Sequence, residues 1–578
     1  MNQQKKATKR SISYVSVCLI ALLVLVAAVL VFTVLDSVGV TGKLGTAAKS
    51  DNFRVSDNEL SVYEYQVALS QLSTEYYYYL YGIYQDTYGI AKSFSSAEQY
   101  AYYMLPYYMG SFASTAYEYA QQYLVYCEGA KEAGVSLDDE DMKELEDYIA
   151  GLKTTAESGD ISFRYFVNTY IGKGVSEGEI RTAMEKYYLA VKYAEILDEE
   201  FSDAVTDKEM EDYREENKGS FYTTKFHSYV LVNESLADKA KECKTIEELK
   251  AVLVEYYVGN KFEDLYKDKI TNANIETEDN QDAVKSKVTE TLKAMFELGE
   301  DFTKHYTSDS TDNYIKAGYA IVDAIKSLLD TQFNNIKKDQ SSAYVDLSDS
   351  AVSKSATDLQ KWLFGEGRVA GDVNVIKNTS TSSSSSTSSS TTTTTTHTWY
   401  VVTEVMVIDT EKTKDAYYIQ LSDDKTTESS TGATTEAETG STEKLTAKEK
   451  AEKMFAALEA DKTTEKFDEL AKKYGMTTST ALKENITKAT AESAAAALAE
   501  WLYAEGRKEG DIIQITTDDK EPKYFVAYFV EENEETWKVN ARASIVSEKV
   551  QAWFEAGVEK YNVTVDTKAP ETTAAATK

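Results

Sequence analysis

Leu359-Gln360-Lys361-Trp362-Leu363-Phe364-Gly365-Glu366-Gly367-Arg368, running on to Gly371-Asp372-Val373, returns as Leu498-Ala499-Glu500-Trp501-Leu502-Tyr503-Ala504-Glu505-Gly506-Arg507, running on to Gly510-Asp511-Ile512. As a pattern it reads L-x-x-W-L-[FY]-x-E-G-R-x-x-G-D-[VI]. So many identities at fixed spacing mark one structural module present twice. Each copy reads as a helix end, a glycine turn and then a strand. The leucines and tryptophan share a helical face, Gly367 and Gly506 stand where a helix stops, and β-branched residues follow the aspartates. Trp362 and Trp501 are expected as core anchors. The Glu-Gly-Arg triplets read as charged pairs that steady a turn rather than as a reactive site.

Working outward, Lys225 to Val232 reads as a strand opening the first module, and Ala416 to Leu421 as one opening the second. Each is followed by helical patterns that contain Phe262-Glu263-Asp264-Leu265 in one case and Phe467-Asp468-Glu469-Leu470 in the other. Phe262 to Trp362 spans 100 residues and Phe467 to Trp501 only 34, so the first module carries a mostly helical insertion at about 270–350. After each copy of the phrase comes another strand, at Trp399 to Val402 and at Tyr524 to Phe529. The Ser/Thr tract 378–396 has no apolar residue to bury and reads as a solvated loop, as does 425–445. The modules then occupy 221–410 and 411–535.

Upstream, 56–220 reads as a helical domain. Ser56-x-x-Glu59, Ser136-x-x-Asp139, Ser176-x-x-Glu179 and Thr206-x-x-Glu209 look like capped helix starts. Eighteen tyrosines fall between Tyr63 and Tyr126. Tyr76, Tyr77, Tyr78 and Tyr79 are consecutive, so they cannot all point inward from one helix. With Tyr81 and Tyr84 they are the candidate polypeptide-binding residues, set against the alternative of a tyrosine-padded core. Residues 536–566 read as a closing strand and helix, and 567–578 as a disordered tail. At the other end, 14–35 is almost wholly apolar and long enough to span a bilayer, with Lys5, Lys6, Lys9 and Arg10 before it. The positive-inside rule puts 1–13 in the cytoplasm and everything after the linker 36–55 outside. A cleaved signal peptide is the competing reading. The fold class expected is α+β, predominantly helical, with an N-terminal transmembrane helix.

The chain of 578 residues carries 96 acidic and 62 basic side chains, a net charge of −34. That argues against a nucleic-acid partner, which needs basic surface to neutralise phosphates. Three scattered cysteines and three histidines give no metal-ligand cluster, and no cofactor is expected. A Cys127–Cys243 disulfide stays open as an alternative. No nucleophile elbow or phosphate-cradling glycine loop is present.

The order of elements in each module resembles the parvulin domain, and the whole chain is similar to the SurA/PrsA/PpiD group of extracytoplasmic foldases. Ala130-Lys131-Glu132-Ala133-Gly134-Val135, Gly174-Val175-Ser176-Glu177 and Thr206-Asp207-Lys208-Glu209-Met210 resemble that group's helix junctions. The resemblance implies a SurA-like chaperone domain, two parvulin-like domains, and a final helix that packs back on the first domain. It also implies histidines in the first and last strands of an active parvulin. Here those positions read as Tyr229 and Val401 in one module and Tyr418 and Phe525 in the other, and only His227 lies near. The expected function is therefore a membrane-anchored extracytoplasmic chaperone that binds unfolded or newly exported polypeptide, with catalytically degenerate modules. An active peptidyl-prolyl isomerase and a cell-surface adhesion protein are the alternatives.

Overall fold

The computed structural model describes residues 45–566 except 81, 87–88, 109, 273, 275–279, 298–312, 384–390, 424–444 and 477–479. It is an α+β protein, mostly helical with small antiparallel sheets. The chain divides after Met210 and after Thr410 into one unit of residues up to 210 together with 411 onward, and a second unit of 211–410. Among the described residues no helix is long and apolar enough to cross a membrane. The apolar segment 14–35, Tyr81, His305 and the tail 567–578 lie outside the described residues.

The first unit opens with β1 (Thr46–Lys49) and β2 (Arg54–Ser56), then α1 (Asp57–Leu80), α2 (Ala97–Tyr108), α3 (Ala113–Ala133), α4 (Asp139–Ser158), α5 (Glu177–Ala204) and α6 (Asp207–Glu216), which runs into the boundary. Reciprocal bonds start α1: Glu59 N donates to Ser56 Oγ, and Glu59 Oε2 accepts from Ser56 N. The other carboxylate oxygen of Glu59 accepts from Lys186 of α5 at 2.9 Å, so the capping residue also ties two helices together inside the bundle. Ser176 caps α5 with Glu179 in the same reciprocal way. At α4 the cap is Asp138, paired with Asp141, two residues later than the Ser136 expected from the sequence. Asp wins because its Oδ1 accepts from both the Glu140 and Asp141 amides while Oδ2 accepts from Lys192 of α5. Tyr63, Tyr65, Leu72, Leu105, Leu124, Leu145 and Phe166 fill the core.

The second unit contains β3 (Thr223–Leu231), α7 (Glu234–Ala240), α8 (Ile246–Tyr266), α9 (Gln281–Glu297), α10 (Asn313–Asn334), β4 (Lys337–Ala343), α11 (Ser350–Ser355), α12 (Asp358–Leu363), β5 (Val373–Ser383) and β6 (Thr391–Val407). The first unit resumes with β7 (Lys412–Leu421), α13 (Ala447–Ala460), α14 (Thr464–Lys473), β8 (Leu482–Ile486), α15 (Lys488–Ala494), α16 (Ala496–Leu502), β9 (Ile512–Thr516) and β10 (Tyr524–Glu535). It ends with α17 (Thr536–Lys560) and β11 (Thr564–Val565). Helix α17 packs on α3 and α5, with the Trp553 ring 5.2 Å from that of Tyr126 and 5.7 Å from that of Tyr193. Strand β11 pairs with β1, so the last described strand completes the first sheet.

The two modules share one sheet plan. The orders are β4-β3-β6-β5 and β8-β7-β10-β9, antiparallel throughout. Two corrections follow. First, each module has a fourth strand, β4 or β8, between its helices and its tryptophan helix. Both are edge strands, and Lys337 to Ala343 is largely exposed, so neither carries the apolar alternation that announces a strand. Second, the described part of 378–396 is strand rather than loop: Asn378 to Ser383 pair with Thr396 to Thr391 as the outer part of a hairpin. Threonine is β-branched and suits extended backbone, and the ladder is made by backbone groups whatever the side chains' polarity. The insertion between α8 and β4 supplies α9 and α10, whose Val284, Val288, Leu292, Ile321, Ile325 and Leu329 join the core of that module.

The repeated phrase builds the same corner in both places. Gly367 and Gly506 both have φ of 78°, a left-handed conformation that costs glycine little. The chain can then fold the arginine back over the tryptophan. Arg368 lies 4.7 Å above the Trp362 ring and donates through Nε to the Trp362 carbonyl at 2.9 Å. Arg507 lies 4.4 Å above Trp501 and donates to its carbonyl at 3.1 Å. Asp372 accepts from Arg368 and the Val369 amide, and Asp511 accepts from Arg507 and the Lys508 amide. The arginine's carboxylate partner is thus the aspartate of the G-D pair. Glu366 and Glu505, expected in that role, are exposed. Trp501 is buried, whereas Trp362 is only half-buried.

Candidate functional site

The sheet positions come first, because backbone pairing corrects their register. Gly371 N donates to Val402 O, and Gly510 N to Phe529 O, which makes Val402 and Phe529 equivalent. Val401 then corresponds to Tyr528, not to Phe525, a slip of three residues in the last strand. His227 pairs with Val401 and Tyr417 with Tyr528, so Tyr229 corresponds to Ile419 and Tyr418 to Ser228, a slip of one in the first strand. An odd slip moves a side chain to the opposite face of a sheet. Accordingly Tyr229 and Val401 lie in the core beneath α7–α10, whereas Tyr418 and Phe525 pack on the other face of their own sheet, with α15 and α16.

No acid–base group stands ready at these positions. Tyr229 is buried and donates its hydroxyl to Gln332 Oε1 at 2.7 Å, and burial raises its pKa. Val401 and Phe525 are buried hydrocarbon. Tyr418 is half-buried. His227 is half-buried, and its Nδ1 accepts the Asp339 amide of the neighbouring strand at 3.1 Å. His397 sits in β6 opposite Leu231 and Lys377, half-buried. Cys127 and Cys243 are buried free thiols, so there is no disulfide between them. Burial pushes their pKa values up to about 12 and about 11, which keeps them protonated and unreactive. Among the described residues no group of His, Cys, Asp and Glu is placed to hold a metal ion.

The tyrosine-rich helices present a different surface. Tyr76 is buried, edge-on to Tyr77 and 5.6 Å from Tyr100, with its hydroxyl donating to Phe94 O. Tyr77 and Tyr78 are exposed, Tyr79 is half-buried, and Tyr84 is exposed against Tyr78 at 5.1 Å. Four successive residues on a 100° period divide in this way because only one side of α1 meets the bundle. Leu80, Ile83 and Ile90 are also exposed, as are Tyr103 and Tyr107, the latter at 73%. Tyr103 packs tilted against Phe94 at 5.1 Å and Tyr107 against Tyr103 at 6.0 Å. These last two residues were not singled out from the sequence. Their signal is the Tyr-Tyr doublets on either side of Pro106.

The same helices enclose a groove of about 520 Å³ between α1, α2 and α4. Gln66, Leu69, Ser70 and Ser73 form its α1 wall, and the same helical stripe runs on through Tyr77 and Leu80. Tyr65, Tyr102, Tyr148 and Leu152 complete the lining. The Tyr65 and Tyr102 hydroxyls bond to each other at 3.0 Å. The Tyr148 hydroxyl is enclosed, with Gln66 beside it, and makes no hydrogen bond of normal geometry. Burial raises the pKa of Tyr65, Tyr102 and Tyr148, so all three stay neutral donors. The buried Glu64 of α1 accepts the Gly110 and Phe112 amides, which holds the turn from α2 into α3. Such a surface offers apolar contact and scattered hydroxyls, a combination suited to varied peptides rather than to one small molecule.

No protein-family model and no curated protein matches the chain.

Proposed function

We propose that this chain is an extracytoplasmic polypeptide-binding chaperone of the SurA/PrsA/PpiD type. Residues 14–35 anchor it, the helices of 56–220 closed by α17 form the binding domain, and the two sheet modules are parvulin-like but catalytically degenerate. The observation that carries this reading is the group of solvent-exposed rings on α1, just after it and on α2, with an apolar groove between the same helices and α4. Large exposed apolar patches on soluble domains mark interaction sites. The shared strand order of the two modules supports treating both as one parvulin-like unit, and the side chains at the sheet positions support low activity. Residues 45–578 should suppress aggregation of a chemically unfolded client. They should leave the isomerisation of a proline peptide close to its uncatalysed time of tens to hundreds of seconds. A parvulin-sized rate enhancement abolished by His227→Ala would replace this reading with the isomerase alternative.

A further inference from the structure

The tyrosine surface is set in acidic ground. From Asp57 to Ala130 the chain has eight carboxylates and a single basic residue, Lys92. Three of these carboxylates stand among the rings. Glu75 accepts the Tyr100 hydroxyl at 3.1 Å. Glu98 is exposed on α2 one turn before Tyr102, a residue of the groove wall, which places a negative charge beside the groove. Asp86 uses Oδ1 for the Ile90 amide, while its Oδ2 is enclosed and accepts no hydrogen bond. A carboxylate oxygen without a donor, next to rings whose faces are electron-rich, is complementary to a cation. The enclosed Tyr148 hydroxyl adds a donor inside the groove that a peptide carbonyl can satisfy.

We infer that this surface selects unfolded segments that combine apolar residues with Lys or Arg, and discriminates against acidic ones. This rests on the polypeptide-binding reading above and adds the class of sequence bound. The apolar side chain enters the groove along the Gln66–Ser73 wall, and the cation sits over the exposed ring of Tyr77, Tyr84, Tyr103 or Tyr107 in the negative field of Asp86 and Glu98. A chain of strong net negative charge attracts such segments at long range as well.

The test uses the full chain and three unstructured fluorescent peptides of identical Phe/Leu/Gly/Ser content that carry Lys and Arg, Gln, or Asp at the same positions. One cation–π contact with one exposed ion pair corresponds to about five- to thirty-fold in affinity. The basic peptide should bind tighter than the Gln peptide by that factor at about 0.15 M salt and the Asp peptide most weakly, with the spread shrinking near 1 M salt. Asp86→Asn with Glu98→Gln, isosteric changes that keep a side-chain oxygen for the Ile90 amide, should remove most of the basic peptide's advantage and leave Gln-peptide binding unchanged. Equal affinity for the basic and Gln peptides, or an advantage untouched by the double variant, overturns the inference while the chaperone reading stands. Binding of none of the three overturns both.

Discussion

The two sheet modules share a corner and a strand order but differ in what they pack against it. The first places Trp399 at the sheet position where the second has Val526. Trp399 is fully buried, and its Nε1 donates to the Cys243 carbonyl at 3.0 Å. The extra volume is matched by α9 and α10, which thicken the helical layer over β3 and β6. The second module, without these helices, closes its layer with α13 and α14 over Tyr417, Val526 and Tyr528. The lesson is that the repeated phrase specifies a turn and a helix-to-sheet contact, whereas core thickness is set independently on the opposite face of the sheet.

The largest expected effect breaks that difference. Trp399→Val should cost about 3–5 kcal/mol, because the inserted helices leave a cavity that valine cannot fill. The reverse change, Val526→Trp, should cost about 1–3 kcal/mol by overpacking. Hydrogen-exchange protection of β6 and β10 reads each module separately. A neutral Trp399→Val would mean that the first module's helical layer collapses freely onto the sheet.

Smaller effects probe what the modules share. Arg368→Lys and Arg507→Lys should each cost about 1 kcal/mol, since lysine keeps the charge but loses the planar stack and the forked bonds to carbonyl and carboxylate. Gly367→Ala and Gly506→Ala should each cost about 1 kcal/mol, because both need φ of 78°. Equal losses in the two modules are expected, and clearly unequal ones would show that the corner does different work in each.

The smallest effect separates the modules by pH. Lys412 and Lys414 hold Glu532 well below the ordinary carboxylate range, at about 2. A carboxylate whose folded pKa lies below its unfolded value of roughly 4.3 contributes stability above that value and loses it as pH falls toward 2. Glu532→Gln should therefore flatten the acid dependence of β10 protection between about pH 4 and 2, and leave β6 unaffected.

Much of this fold was legible in the residues. The duplicated phrase, the opening strands and the helices of 56–204 follow from apolar period and caps. Three features were hidden for physical reasons. β4 and β8 are edge strands with little burial to pattern them. The Thr/Ser hairpin pairs through backbone groups, so its polarity pointed to a loop. The register of Tyr418 and Phe525 was lost because runs such as Tyr417-Tyr418-Ile419 and Tyr524-Phe525-Val526 are apolar at successive positions and do not reveal which residue faces which helix layer. At the candidate surface, four tyrosines in a row showed that some ring must be exposed. That Tyr103 and Tyr107 extend the patch depends on how α2 packs on α1, which residue order alone does not give.

The most direct measurement is aggregation of an unfolded client with residues 45–578 and with the variant Tyr77→Ser/Tyr78→Ser/Tyr84→Ser/Tyr107→Ser, whose circular dichroism must match the parent. All four rings are exposed, so the fold should survive the change. Loss of aromatic anchors at the centre of a binding surface should weaken client protection about tenfold or more. Undiminished protection by the folded variant would contradict the assignment of polypeptide binding to α1 and α2.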